Sequence, residues 1–146
     1  MSSLSIEELT AAIQSGAIDT VVVAMTDMQG RLTGKRIHGD HFLNEVLKHG
    51  TEGCNYLLAV DVDMNTVQGY EMSSWERGYS DFELAPDFNT LRLIPWQEGA
   101  ALVLADVQWL DHTDVVASPR QILKKQIKAL ADAGMKAMVG TELEFV

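Results

Sequence analysis

The spacing of apolar residues switches between helical and strand periods along the chain, and each switch marks an element. Ser5-Ile6-Glu7-Glu8 sets a hydroxyl three residues before a carboxylate, a reciprocal capping pattern, and Gly16 supplies a stop. A short helix is predicted near 6–15. Residues 18–25 form a β-branched, apolar run and predict a strand entering the core. Asp27-Met28-Gln29-Gly30 reads as a turn, with residues 31–37 returning as the second arm of a hairpin. Asp40 is placed to cap a helix near 41–49 that Gly50 closes, and Tyr56-Leu57-Leu58-Ala59-Val60 predicts another short strand. Residues 65–79 have little periodicity and read as a long loop, a feature that is often functional in compact domains. Strands at 90–94 and 100–107 complete the sheet, with Pro95 and Gly99 between them.

The pattern changes after Trp109. Asp111-His112-Thr113-Asp114 is a polar linker, and Ser118-Pro119 puts a capping hydroxyl before a proline at the first helical position. Ile122, Leu123, Ile127, Leu130 and Ala131 then form an apolar stripe at helical spacing, ended by Gly134. Residues 135–146 predict a final strand. A lone helix and strand cannot bury their apolar faces unaided. The expected division is therefore an N-terminal helix over 1–17, an α+β domain over 18–112 with a mixed sheet packed on the 41–49 helix, and the opening of a second, incomplete domain over 113–146.

Composition narrows the classes of partner. The chain has 146 residues, 47% hydrophobic and 22% charged, as in ordinary globular domains. A net charge of −10 argues against nucleic acid or an anionic membrane as the main partner. No apolar run approaches a membrane span, and the N-terminus lacks a basic, apolar signal segment, so the expected location is the cytoplasm. The single cysteine, Cys54, excludes a disulfide framework and reads as a buried thiol. His38, His41, His49 and His112 lack the cysteine or carboxylate cluster of a metal site, and no G-x-G-x-x-G pattern follows a strand. Trp75, Trp96 and Trp109 read as core or interface residues.

The strongest chemical candidate closes the chain: Thr141-Glu142-Leu143-Glu144-Phe145. In a strand, Glu142 and Glu144 would share one face, about 7 Å apart from a rise of ~3.3 Å per residue. Two carboxylates so spaced suit a pair of hard cations, Mg²⁺ or Mn²⁺, which take oxygen ligands, although two groups alone fill neither shell.

The segments Trp75-Glu76-Arg77-Gly78-Tyr79-Ser80-Asp81-Phe82-Glu83-Leu84-Ala85-Pro86-Asp87 and Thr90-Leu91-Arg92-Leu93-Ile94-Pro95-Trp96 resemble the glutamine synthetase family, most closely its γ-glutamylpolyamine synthetase-like branch. Asp27-Met28-Gln29-Gly30-Arg31-Leu32, Gly34-Lys35-Arg36, residues 101–106, Ser118-Pro119-Arg120-Gln121-Ile122-Leu123 and Glu142-Leu143-Glu144-Phe145 extend the resemblance in unbroken order over residues 18–146. The resemblance implies a β-grasp-like N-terminal domain followed by the first helix and strand of a catalytic domain. It implies an ATP-dependent ligase that phosphorylates the γ-carboxylate of glutamate and lets an amine displace the phosphate, working as a homo-oligomer of stacked rings. By the same resemblance Glu142 and Glu144 match the first two metal-binding glutamates, and Asp81 lies in a loop facing a neighbouring subunit's catalytic site, whereas Asp87 reads as structural.

One departure bears on the substrate. Members that use ammonia carry an aspartate before the S-D-x-x-x-x-P-D block, and here Gln68 stands in its place, before Gly69. An amide favours a small cation less than a carboxylate does, so a primary amine larger than ammonia is the expected acceptor. Two functions stay open: the N-terminal portion of a glutamate–amine ligase, inactive as these 146 residues alone, or a non-catalytic β-grasp module for binding or assembly.

Overall fold

The computed structural model describes residues 3–76 and 78–145. Its first helix, α1 (Ile6–Gln14), is capped as its sequence dictates: Ser5 Oγ accepts from the Glu8 N–H at 3.1 Å while the Ser5 N–H donates to Glu8 Oε2 at 2.8 Å. Leu9 and Ile13, one turn apart, face inward and are buried.

Five strands form one mixed sheet in the order β2-β1-β5-β4-β3. β1 (Thr20–Thr26) and β2 (Leu32–His38) make the expected antiparallel hairpin, and β1 runs parallel to β5 (Ala100–Gln108) at the centre. β4 (Asp81–Leu93) is antiparallel to both β5 and the short β3 (Thr51–Cys54). One face of the sheet, with Val21, Val23, Met25, Phe82, Leu84, Ala101, Val103 and Val107, packs against Leu9 and Ile13 of α1 and against Phe42 and Val46. This is the α+β, β-grasp-like arrangement expected, with both apolar strands in the sheet.

Several local expectations are corrected. The helical segment starts at residue 39, because His38 rather than Asp40 is the N-cap: its Nδ1 accepts from the Asp40 N–H at 3.3 Å. The segment runs as α2 (Gly39–His41), a π-helical stretch Phe42–Val46, and α3 (Leu47–His49), with Gly50 at φ 66° closing it. The strand expected at 56–60 is a 3-10 turn, Asn55–Leu58, and the strand lies just before it. A short apolar run does not by itself distinguish the two. β4 begins at Asp81, well before residue 90, and Pro86 lies within it, beyond the end of β3, where β4 has a sheet neighbour on one side only. Cys54 is half-buried, and Trp75 and Trp96 are exposed; Trp109 alone of the three packs on the core, against Phe82.

The polar turn after β5 folds back on the sheet. The Val115 N–H donates to the Val107 carbonyl at 3.1 Å, and Val115 joins the core. α4 (Pro119–Asp132) follows with Pro119 at its first position. Ser118 stands at the N-cap, but its hydroxyl is buried without a hydrogen-bond partner among the described residues, so the expected capping bond is not made. Residues 135–145 form no strand. Leu143 and Phe145 lie open to solvent, and among the described residues no strand lies beside them to share ladder hydrogen bonds.

Candidate functional site

The chemistry-bearing residues fall into three places: the long loop before β4, the junction of α4 with the sheet, and the C-terminal segment.

The loop is tied to the β1–β2 turn by a buried carboxylate. Asp27, fully buried, accepts from the backbone N–H groups of Gln29 and Arg31 at 2.9 and 2.8 Å and from Arg31 Nε at 2.8 Å. Arg31 reaches on to the Val62 carbonyl at 2.7 Å, and Gln29 Nε2 donates to the Val60 carbonyl at 3.1 Å. Burial by itself would raise the Asp27 pKa, but the Arg31 and Gln29 hydrogen bonds and the Arg31 charge outweigh it and hold the carboxyl below its usual range. A depressed folded-state pKa adds stability above the unfolded-state value, about pH 4, which is lost as pH falls through the lower folded-state value. In Asp27→Asn an amide N–H would confront Arg31 Nε. This variant is expected to lose about 1–3 kcal/mol at neutral pH and to show a flatter decline into acid. Thermal unfolding of both proteins between about pH 7 and pH 2.5 checks this; parallel acid limbs would contradict it.

Further along the loop, Gln68, Tyr70 and Glu76 help line a shallow open cup of about 460 Å³. Gly69 there adopts φ 91°, a conformation that suits glycine. Asp81, exposed, is the first residue of β4 and pairs in register with Cys54.

At the α4 junction, Arg120 forks between two carboxylates. Nε donates to Asp106 Oδ1 at 2.8 Å and Nη2 to Asp87 Oδ2, while Lys124 also bonds Asp106. Asp87 additionally accepts from the Asn89 N–H at 3.2 Å, beside the bulge in β4. Sequence reasoning did not find this cluster. Arg120 and Asp87 are 33 positions apart and leave no local pattern.

Glu142 and Glu144 are exposed on the segment without regular structure. Their donor type fits a hard divalent cation, but they do not make a shell. Among the described residues no three His, Cys, Asp or Glu side chains converge as a metal site. The strand expected to carry them is not formed. No helix of the described residues is long and apolar enough to cross a membrane.

No family model matches the chain. The chain is homologous to the N-terminal part of glutamine synthetase-family proteins. It is 61% identical over 143 residues to the gamma-glutamylethanolamide synthetase of Streptomyces coelicolor, covering 98% of this chain and 31% of that protein. It is 38% identical over 133 residues to a glutamate–isopropylamine ligase of a Pseudomonas species, covering 91% and 29% respectively. The chain thus spans less than a third of the length of these relatives. In fold, it is similar to the glutamine synthetase of Plasmodium falciparum, with a TM-score of 0.63 over 92% of this chain and 24% of that one at 20% identity.

Proposed function

We propose that this chain is the N-terminal portion of an ATP-dependent glutamate–amine ligase whose acceptor is a primary amine larger than ammonia. In this reading residues 18–112 form the β-grasp-like domain and residues 113–146 open the catalytic domain. The observation that carries the reading is the 61% identity to a gamma-glutamylethanolamide synthetase across nearly the whole chain. Gln68 supports the choice of amine, because it offers an amide where ammonia-using members of the family carry a carboxylate.

The reaction has two steps. An oxygen of the glutamate γ-carboxylate attacks the terminal phosphorus of ATP, and ADP leaves. The amine nitrogen then attacks the acyl carbon, inorganic phosphate leaves with the carboxylate oxygen, and the nitrogen loses a proton to give the amide. Glu142 and Glu144 are the carboxylates proposed for the cation site, to be completed by groups of the catalytic domain. Asp81 is proposed to face the site of a neighbouring subunit in a homo-oligomer.

The test joins this chain to the catalytic remainder of the S. coelicolor relative, in place of that protein's own N-terminal part. The fusion is expected to release ADP only with glutamate and an organic amine both present, with kcat/KM for ethanolamine at least 100-fold above that for ammonium. Glu144→Gln is expected to lower kcat by about 100-fold or more, the range for losing one preorganised electrostatic group. A folded fusion that prefers ammonium would overturn the choice of amine, and one with no ligase activity would overturn the ligase reading.

A further inference from the structure

The irregular stretch before β4 is closed at its neck by one side chain. Asn55, the first residue of the 3-10 turn, is only 1% exposed. Its Nδ2 donates both to the Met72 carbonyl and to Ser80 Oγ, each at 3.0 Å, and its backbone N–H donates to the Ser80 carbonyl at 2.8 Å. A single residue thus joins the two ends of the 72–80 loop. Its Oδ1 is buried without a hydrogen-bond partner among the described residues, so the hold on the loop lies in Nδ2. The Met72 carbonyl needs a donor, which neither an apolar side chain nor a carboxylate supplies.

The residue after it supports the same loop by a different interaction. Tyr56 meets Tyr79 edge-on, with ring centroids 5.9 Å apart, and Tyr79 meets Trp75 edge-on at 5.5 Å. Trp75 is 75% exposed at the far end of this chain of rings. An exposed indole on an irregular loop is ordinarily free to change rotamer; edge-to-face contact on an anchored tyrosine restricts it. The 3-10 turn is therefore the base on which the loop is set.

We infer that Asn55 is a positioning residue for amine selection. It fixes the 72–80 loop between the cup lined by Gln68 and Tyr70 and the start of β4 at Asp81. The inference rests on the proposed function, in which Gln68 bears on the choice of amine and Asp81 faces the site of a neighbouring subunit, the two positions between which this loop runs. Asn55 itself touches no reacting atom and acts only through the loop it holds.

Two variants test it. Asn55→Asp keeps the shape but sets a carboxylate oxygen against the Met72 carbonyl. Ser80→Ala removes one acceptor from an exposed position and leaves Asn55 in place, so it serves even where Asn55→Asp does not fold. In the full chain carrying Trp96→Phe and Trp109→Phe, Trp75 is the remaining tryptophan. Its fluorescence anisotropy is expected to fall, and its quenching by acrylamide to rise, most in Asn55→Asp and by a smaller step in Ser80→Ala. In the fusion described above, KM for the amine is expected to rise about tenfold in Asn55→Asp and about threefold in Ser80→Ala, with KM for glutamate and ATP changed less than twofold. These are the sizes expected from losing one or two net hydrogen bonds. Unchanged Trp75 anisotropy in the variants overturns the staple. A loosened Trp75 with an unchanged amine KM overturns the link to amine selection while the ligase reading stands. An inactive unsubstituted fusion overturns the ligase reading and the amine role with it.

Discussion

Phe82→Ala is expected to remove about 3–5 kcal/mol of folding stability, the range for truncating a fully buried aromatic residue. Phe82 is 0% exposed on β4, part of the cluster that joins the sheet to α1 and the helical segment, and its ring meets Trp109 edge-on at 5.5 Å. Truncation would leave a void and cost Trp109 its partner. Domains of this size are stable by about 5–15 kcal/mol, so a fifth or more of the total would go. Urea unfolding monitored by circular dichroism measures it. A loss below about 1 kcal/mol would mean that the core is not packed around this ring.

Arg120→Ala is expected to detach α4 with little change to the sheet. α4 buries no residue of its own, and Ile122, Leu123 and Ile127 remain near half-exposed, so its hold on the sheet lies chiefly in the Arg120 fork and the Lys124 bond, with a hydrogen bond from Gln121 to Asp114 beside them. Removing Arg120 takes the guanidinium from both Asp87 and Asp106, and Lys124 remains on Asp106. Breaking a buried pair costs about 3–5 kcal/mol. The lower end applies here, because each of these side chains keeps nearly a fifth of its surface in water. A 14-residue helix without tertiary support is marginal in water. Amide exchange across α4 should therefore accelerate by roughly a hundredfold, with β1 and β5 unchanged. Arg120→Lys should recover only part of the protection, since a point charge cannot span both carboxylates. Protection in α4 equal to that of the unsubstituted chain would show that contacts other than this fork hold the helix.

Features whose cause is local were legible in the sequence, and features whose cause is distant were not. The capping box at Ser5 and Glu8, the β-branched run of β1 and the glycine stops at Gly16, Gly50 and Gly134 carry their own physics and could be read directly. β4 could not be read from its start. Asp81, Glu83, Pro86, Asp87 and Asn89 oppose strand propensity one by one, and sheet context overrides them: β3 pairs with residues 81–84, and Pro86 lies where β4 has lost that neighbour. The turn at Asn55 was missed because its signal is a buried amide bonded 17 and 25 residues away. The opposite error occurred at Glu142-Leu143-Glu144-Phe145. Its alternation is strand-like, but alternation specifies a strand only where a neighbouring strand can pair with it. For the same reason the candidate metal carboxylates were legible as a motif while the strand expected to carry them was not formed.

The central claim, that this chain belongs to a ligase working through γ-glutamyl phosphate, is tested most directly by isotope transfer. Glutamate labelled with ¹⁸O in its γ-carboxylate is supplied with ATP and ethanolamine to the fusion with the S. coelicolor catalytic remainder. The phosphate formed is then analysed by mass spectrometry. The account predicts one ¹⁸O in each inorganic phosphate released, in step with amide formation, because the carboxylate oxygen leaves on phosphorus. Amide formed alongside unlabelled phosphate would contradict it.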